Sequence, residues 1–291
     1  LIGGCAGGGS TLTGEALRVR HEELTVDLPV RHGRWTIPVY RSGDPAGRSV
    51  IFVHGTPGSA GAWRRYLKNP IEGFEMVALD RPGFGESTPH RAAPALADQA
   101  RAIEPLLSDA PGSGLKPILV GHSLGGPIIA RVAAEHPDRV GGLVIVAGSL
   151  DPSLEHVLPV QRVGAMFPFS SLLPASLRIA NRELIPLKRE LTELGGMLDR
   201  VTCPVIIVHA TDDRLVPYAN VAYMVDRFVN AASVEVMTFG EGDHFLPWNH
   251  EPAVREAIVR AAALAHARGP AGSRRGVDQA PVGAGVGSTG G

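Results

Sequence analysis

Ser123, Asp213 and His244 supply a hydroxyl, a carboxylate and an imidazole, in that chain order. A serine hydroxyl is a poor nucleophile at neutral pH. It gains reactivity when an imidazole takes its proton, a carboxylate orients that imidazole, and N–H donors hold the oxyanion. The chemistry such a set supports is acyl transfer through a covalent intermediate. Ser123 lies in Gly121-His122-Ser123-Leu124-Gly125, a Gly-x-Ser-x-Gly pattern. This pattern holds a serine on a sharp strand-to-helix bend, its hydroxyl exposed above a sheet. Glycines on either side let the backbones approach closely.

The other parts have candidates too. His244 is the candidate base, in the loop Phe239-Gly240-Glu241-Gly242-Asp243-His244-Phe245-Leu246-Pro247-Trp248 between the last strand and the last helix. A Gly-containing loop there can place an imidazole above the sheet. The candidate acid lies in Thr211-Asp212-Asp213-Arg214-Leu215-Val216-Pro217. The Asp-x-x-Val-Pro spacing favours Asp213; Asp212 reads as a turn or cap residue, and Asp151 is an outside alternative. The oxyanion donors are expected to be two backbone N–H groups, those of Leu124, after the nucleophile, and Thr56, in His54-Gly55-Thr56-Pro57-Gly58. Pro57 has no N–H to offer.

These residues need a scaffold, and the hydropathy pattern predicts one. Glu23–Val30 and Arg34–Arg41 read as an opening hairpin. Apolar strands are predicted at Ser49–His54, Glu75–Asp80, Pro117–Val120, Val140–Ala147, Pro204–His209 and Ser233–Phe239. Helical spacing is found over Ala92–Ser108, Leu124–His136, Tyr218–Asn230 and Glu251–Ala267. Strand–helix alternation of this kind gives an α/β fold with a mostly parallel sheet and helices on both faces. Residues 149–199 break the rhythm with scattered prolines and amphipathic pieces such as Asn181–Leu194. They read as a helical cap insertion over the carboxyl ends of the strands, where open α/β sheets bind ligands. The core is therefore 21–148 with 200–268. Residues 1–20 and 269–291 are Gly-rich and read as a flexible leader and a disordered tail.

Composition narrows the function classes. Hydrophobic residues make up 44% and charged residues 20% of the 291, and the formal net charge is −1. No global field therefore favours nucleic acid or an anionic membrane. No apolar run reaches the roughly 18 residues of a membrane-spanning helix. Cys5 and Cys203 are far apart and suggest no disulfide framework. Cys203 reads as a small buried core residue. The histidines show no metal-ligand spacing, and the chemistry above requires neither metal nor organic cofactor.

Taken together, His54-Gly55-x-Pro57-Gly58, Asp80-Arg81-Pro82-Gly83-Phe84-Gly85-x-Ser87, Gly121-x-Ser123-x-Gly125 and the Asp213/His244 pair resemble, in order, the α/β-hydrolase superfamily over about residues 23–267. The resemblance implies an eight-stranded, mostly parallel sheet and two-step acyl transfer. Asp80–Ser87 then shapes the turn beside the site without a catalytic role. A serine at the elbow sets aside the superfamily's epoxide hydrolases and haloalkane dehalogenases, which characteristically use an aspartate there. Carboxylesterases, lipases, thioesterases, carbon–carbon bond hydrolases and cofactor-free perhydrolases share the serine elbow. A carboxylesterase- or lipase-like serine esterase is the leading expectation. Leu158, Val163, Met166, Phe167, Phe169, Leu172 and Leu173 in the insertion hint at a small-molecule ester with an apolar acyl or aromatic part, or form the core of the cap. A non-catalytic ligand-binding protein on the same fold is the alternative from another class.

The amino end adds a separate expectation. Leu1-Ile2-Gly3-Gly4-Cys5-Ala6 resembles the lipobox that ends a bacterial lipoprotein signal peptide, in which the cysteine is lipidated. That implies a lipid anchor at Cys5 and a place at the bacterial cell envelope. Without it the sequence reads as a cytoplasmic protein with a Gly-rich leader.

Overall fold

The structure, a computed structural model, describes residues 19–31, 33–108, 114–156 and 173–267. Eight strands form one sheet: β1 (Arg20–Asp27), β2 (Arg34–Gly43), β3 (Arg48–Val53), β4 (Phe74–Leu79), β5 (Ile118–His122), β6 (Gly142–Val146), β7 (Val205–Ala210) and β8 (Val234–Phe239), in the order β1-β2-β4-β3-β5-β6-β7-β8. β2 is antiparallel to both neighbours, and every pairing from β4 to β8 is parallel. The chain has the α/β-hydrolase fold expected from its motifs.

β3, β5, β6 and β7 are buried along their whole length. Such strands read as near-continuous apolar runs because helices cover both faces. Alternate residues serve opposite faces. Ile51, Val53, Leu119 and Ile145 pack with α2 (Leu96–Ile103), α3 (Gly125–Glu135) and α6 (Asn220–Arg227). Val50, Phe52, Val120 and Val144 pack with α1 (Arg64–Lys68), α7 (Leu246–Asn249) and α8 (Glu251–His266). The outer strands carry charge instead. Arg20 and Arg41 of β1 and β2 pair with Glu75, and Glu235 of β8 pairs with Arg260. Charged edges of this kind discourage strand addition.

Some expected elements are shorter than predicted. The helix expected over Ala92–Ser108 is α-helical only at Leu96–Ile103 and ends in a 3-10 turn at Glu104–Leu106. Pro94 biases Ala93 towards extended backbone, and Pro105 has no N–H to continue the α-helical ladder. The helix expected over Tyr218–Asn230 is Asn220–Arg227. Its buried Asn220 turns its side chain back, accepting from Leu150 N and Asp151 N and donating to Pro217 O.

The described part of the insertion holds α4 (Ala175–Leu184) and α5 (Leu187–Gly195), separated at Pro186. α5 is not a detached cap element: Leu187, Leu191 and Leu194 join the core cluster of α2 and α3. The Glu190 carboxylate, also from α5, accepts the N–H of Leu96 at the start of α2. Of the apolar insertion residues singled out above, Leu173 is half-buried; Leu158, Val163, Met166, Phe167, Phe169 and Leu172 lie outside the described residues. Cys5, the flexible leader and the disordered tail also lie outside them. Cys203 is buried in the core cluster, as expected.

The sheet order fixes where a site forms. From β3 the chain passes through α1 to β4 on one side, then returns through α2 to β5 on the other. The crevice beyond the carboxyl ends of β3 and β5 is the topological switch point, where ligands bind in such sheets. His54-Gly55-Thr56 follows β3, and Ser123 follows β5.

Candidate active site

Ser123 sits between the last residue of β5 and the first of α3, at φ +55°. For a residue with a side chain, this left-handed backbone costs roughly 1–3 kcal/mol and persists only where the surroundings impose it. Here they do. Ser123 N–H donates to Val146 O at 3.0 Å, and Ser123 O accepts from Gly126 N at 2.9 Å. A Cβ at Gly121 would lie 2.3 Å from Gly125 O, and one at Gly125 would lie 2.2 Å from Val53 O. The two glycines of the pattern are therefore required by backbone contact.

Asp213 and His244 come together from the ends of β7 and β8. His244 Nδ1 donates to Asp213 Oδ2 at 2.8 Å. The other carboxylate oxygen of Asp213 accepts from Leu215 N at 2.9 Å and Val216 N at 2.8 Å. Burial pushes the Asp213 carboxyl up, but the His244 bond and these two N–H donors outweigh it and hold the group below the usual carboxylate range. Asp212, the alternative acid, is exposed. The Asp151 carboxylate accepts from Ser153 N at 2.8 Å and caps a turn. Leu124 and Thr56 border the same cavity as Ser123 and His244. Neither of their N–H groups donates to another of the described residues.

That cavity, about 620 Å³, is walled on its apolar side by Leu124, Leu184, Leu187, Leu215, Val216, Phe245 and Trp248. Ser149, Glu155 and His156 add polar groups. Its described lining contains no Lys or Arg. Among the described residues no group of His, Cys, Asp and Glu could hold a metal ion, and no helix is long and apolar enough to cross a membrane.

Sequence reasoning gave no role to His122, His54, Arg81 or Glu183. His122 donates from Nε2 to the backbone carbonyl of His244 at 2.8 Å, and its ring meets the edge of Trp248 at 5.2 Å. It thereby ties the elbow to the histidine loop. His54 donates from Nδ1 to Gly55 O at 2.8 Å and accepts the Arg81 N–H on Nε2 at 3.1 Å. Asp80 anchors the same turn, accepting from Ala60 N at 2.7 Å and Glu86 N at 2.9 Å. Arg81 forms a buried ion pair with Glu183 of α4. One signal for this pair was legible. Ile179, Ala180 and Glu183 share a buried face of α4, and a carboxylate on an apolar stripe needs a partner.

Three buried histidines make stability depend on pH. Burial and, next, the Arg81 charge hold His54 well below the ordinary imidazole value; burial and then His244 bring His122 to about 3; burial lowers His209. All three stay neutral in the folded protein while the unfolded chain protonates near pH 6.5. Below about pH 6.5 the unfolded state therefore binds more protons, and stability falls as pH falls, down to about pH 3 for His122. Each group contributes up to about 1.4 kcal/mol per pH unit in its window. Urea midpoints are expected to be clearly lower at pH 5.5 than at pH 7.5; equal midpoints would contradict the neutral assignment.

Comparison with known proteins agrees with this fold. The family model described as alpha/beta hydrolase fold matches residues 48–171. Curated relatives include a 2-hydroxy-6-oxononadienedioate/2-hydroxy-6-oxononatrienedioate hydrolase of Dechloromonas aromatica, 26% identical over 251 residues, covering 72% of this chain and 85% of that one. A 2-hydroxy-6-oxo-6-phenylhexa-2,4-dienoate hydrolase of Burkholderia cepacia is 26% identical over 253 residues, covering 71% and 85%. Among solved structures, a monoacylglycerol lipase from Paleococcus ferrophilus shares the fold, with a TM-score of 0.60 at 18% identity over 84% of this chain and 99% of that one. The chain has the α/β-hydrolase fold, and its residues 48–171 match the model of that family.

Proposed function

We propose that this hydrolase cleaves an uncharged ester-like bond through an acyl-enzyme on Ser123. One observation carries the reading: Ser123, imposed on a left-handed bend, shares a cavity with His244, whose Nδ1 is held 2.8 Å from the buried Asp213 carboxylate. With Nδ1 donating to Asp213, the neutral ring keeps its lone pair on Nε2 for the Ser123 proton. As that proton moves, Oγ bonds to the ester carbon and the carbonyl oxygen becomes an oxyanion. Leu124 and Thr56 N–H groups receive it, aided by the positive end of α3. Collapse expels the alcohol, which takes the proton from the His244 imidazolium. Water, deprotonated by His244, then attacks the acyl carbon and releases the acid.

A carbon–carbon bond hydrolase on the same residues is the second reading, favoured by the names of the curated relatives. The named dienedioate and dienoate substrates carry carboxylates. A buried carboxylate needs a paired cation or several donors. The described cavity lining offers Glu155 and no Lys or Arg, so we favour a neutral ester with an apolar acyl or aromatic part. p-Nitrophenyl esters of rising acyl length, a carbon–carbon hydrolase substrate and a peracid assay separate the readings. Turnover of the diacid in preference to every ester would overturn ours. A non-catalytic binding protein would leave a fluorophosphonate probe unattached to folded protein. The Leu1–Cys5 pattern supports a lipid anchor at Cys5 and hence a place at the bacterial envelope. Radiolabelled palmitate is expected to label full-length protein expressed in bacteria and not Cys5→Ser; an unlabelled wild type overturns the anchor.

A further inference from the structure

We propose that Glu183 is a positioning residue for the oxyanion donor Thr56, so that docking of the insertion helix α4 and assembly of the oxyanion hole are one event. The inference rests on the serine-hydrolase reading above.

Glu183 is 2% exposed, near the carboxyl end of α4. Its Oε2 accepts from Thr56 Oγ1 at 2.7 Å and from Arg81 Nη2 at 3.2 Å. Its Oε1 accepts from Arg81 Nη1 at 3.0 Å and from Gln99 Nε2 at 3.0 Å. Arg81 Nη2 also donates to Gly55 O at 3.0 Å, the carbonyl that already accepts from His54 Nδ1. Residues 54–56 are thus held by a side chain at each position: the imidazole of His54, two donors on Gly55 O, and the carboxylate on the Thr56 hydroxyl. Gly55 itself backs the nucleophile, since a Cβ there would lie 2.9 Å from Ser123 Cβ.

A buried ion pair is a weak source of net stability, because desolvation offsets most of the Coulomb attraction. Its strength is geometric. The guanidinium fork fixes both carboxylate oxygens, and one of those oxygens sets where Thr56 sits. The next residue, Leu184, faces the cavity. A substrate that seats against Leu184 therefore presses on the helix that aligns the oxyanion donor. Misplacing a catalytic group by about 1 Å costs on the order of 100-fold in rate.

Glu183→Gln removes the charge and one acceptor at constant shape. It is expected to lower kcat by about 100-fold with KM within about threefold. Affinity for a boronic acid, which mimics the tetrahedral state, should fall in parallel, because only transition-state contacts are lost. Thr56→Val keeps the backbone N–H and removes the hydroxyl that Glu183 holds. It should lower kcat about tenfold, with Thr56→Ser recovering most of that loss. Thr56→Val carries the test should Glu183→Gln not fold, since it leaves no buried charge unpaired. Folded variants with kcat within about twofold of wild type, or with a raised KM at unchanged kcat, overturn the proposal. If Ser123→Ala abolishes turnover in the same assays, such a result sinks the role of Glu183 alone. If Ser123→Ala is fully active, the serine reading itself fails.

Discussion

Ser123→Ala is expected to lower kcat for p-nitrophenyl esters by about a million-fold, leaving a fold like that of the wild type. The size follows from what remains. Without Oγ no acyl-enzyme forms, and His244 has no proton to take. Only the oxyanion donors and substrate binding still act, a residual of roughly a thousand-fold or more over water. Folding should survive because the substitution removes one oxygen and adds nothing. The unusual backbone at this position does not depend on the hydroxyl. It is set by the Val146 and Gly126 backbone bonds and by the bare Cα atoms of Gly121 and Gly125. Alanine is compatible with such a backbone in this same protein: Ala147 sits at φ +47°. Steady-state turnover, circular dichroism and fluorophosphonate labelling measured together give the test. Loss of label and activity with an intact spectrum is the expected result. Labelling that persists in Ser123→Ala would move the nucleophile elsewhere.

Much of this arrangement could be read from the chain, for physical reasons. β3, β5, β6 and β7 are covered on both faces, so most of their positions are apolar and each stands out as a near-continuous run, with Arg48, Ser49, His122 and His209 as the polar exceptions. The elbow is legible because its glycines answer backbone contacts that allow no side chain. Asp213 was favoured by its spacing to Val216-Pro217, and in the structure the Val216 N–H binds its carboxylate. What could not be read depends on distant partners or short pieces. α1 has only five residues, Arg64–Lys68, too few for a periodic signal. The pairing of Arg81 with Glu183 joins residues 102 positions apart, and nothing local in Asp80–Ser87 names its partner. His122 looks like any elbow filler until the His244 carbonyl is found 2.8 Å from its ring. That bond matters for the site as a whole. β5 leads into Ser123, the proposed nucleophile, and ends in His122, the group that pins the loop carrying the proposed base. Serine and imidazole are thus registered to one strand end even though the loop itself is glycine-rich.

Asp213→Asn should lower kcat by about 10⁴-fold with little change in KM, whereas Asp212→Asn should stay within about twofold of wild type. The contrast follows from counting donors. Asp213 accepts on both oxygens: His244 Nδ1–H on one, Leu215 and Val216 N–H on the other. An asparagine has one acceptor and an NH₂. If its oxygen keeps the two backbone N–H groups, the NH₂ faces His244 Nδ1, which must then accept. The ring proton moves to Nε2, and the base that should take the Ser123 proton carries one already. If the amide is turned the other way, its NH₂ confronts two backbone donors now held at 2.9 Å and 2.8 Å from the carboxylate, at a site whose side chain is fully buried. The first arrangement has fewer conflicts, so the variant should fold with the imidazole in the wrong tautomer. Asp212 is exposed, and its carboxylate can be neutralised without leaving a donor unpaired. Kinetics of the two variants on one ester decide the matter. A severe loss in Asp212→Asn beside a mild one in Asp213→Asn would reassign the acid. A mild loss in both would leave His244 without the electrostatic partner that the mechanism requires.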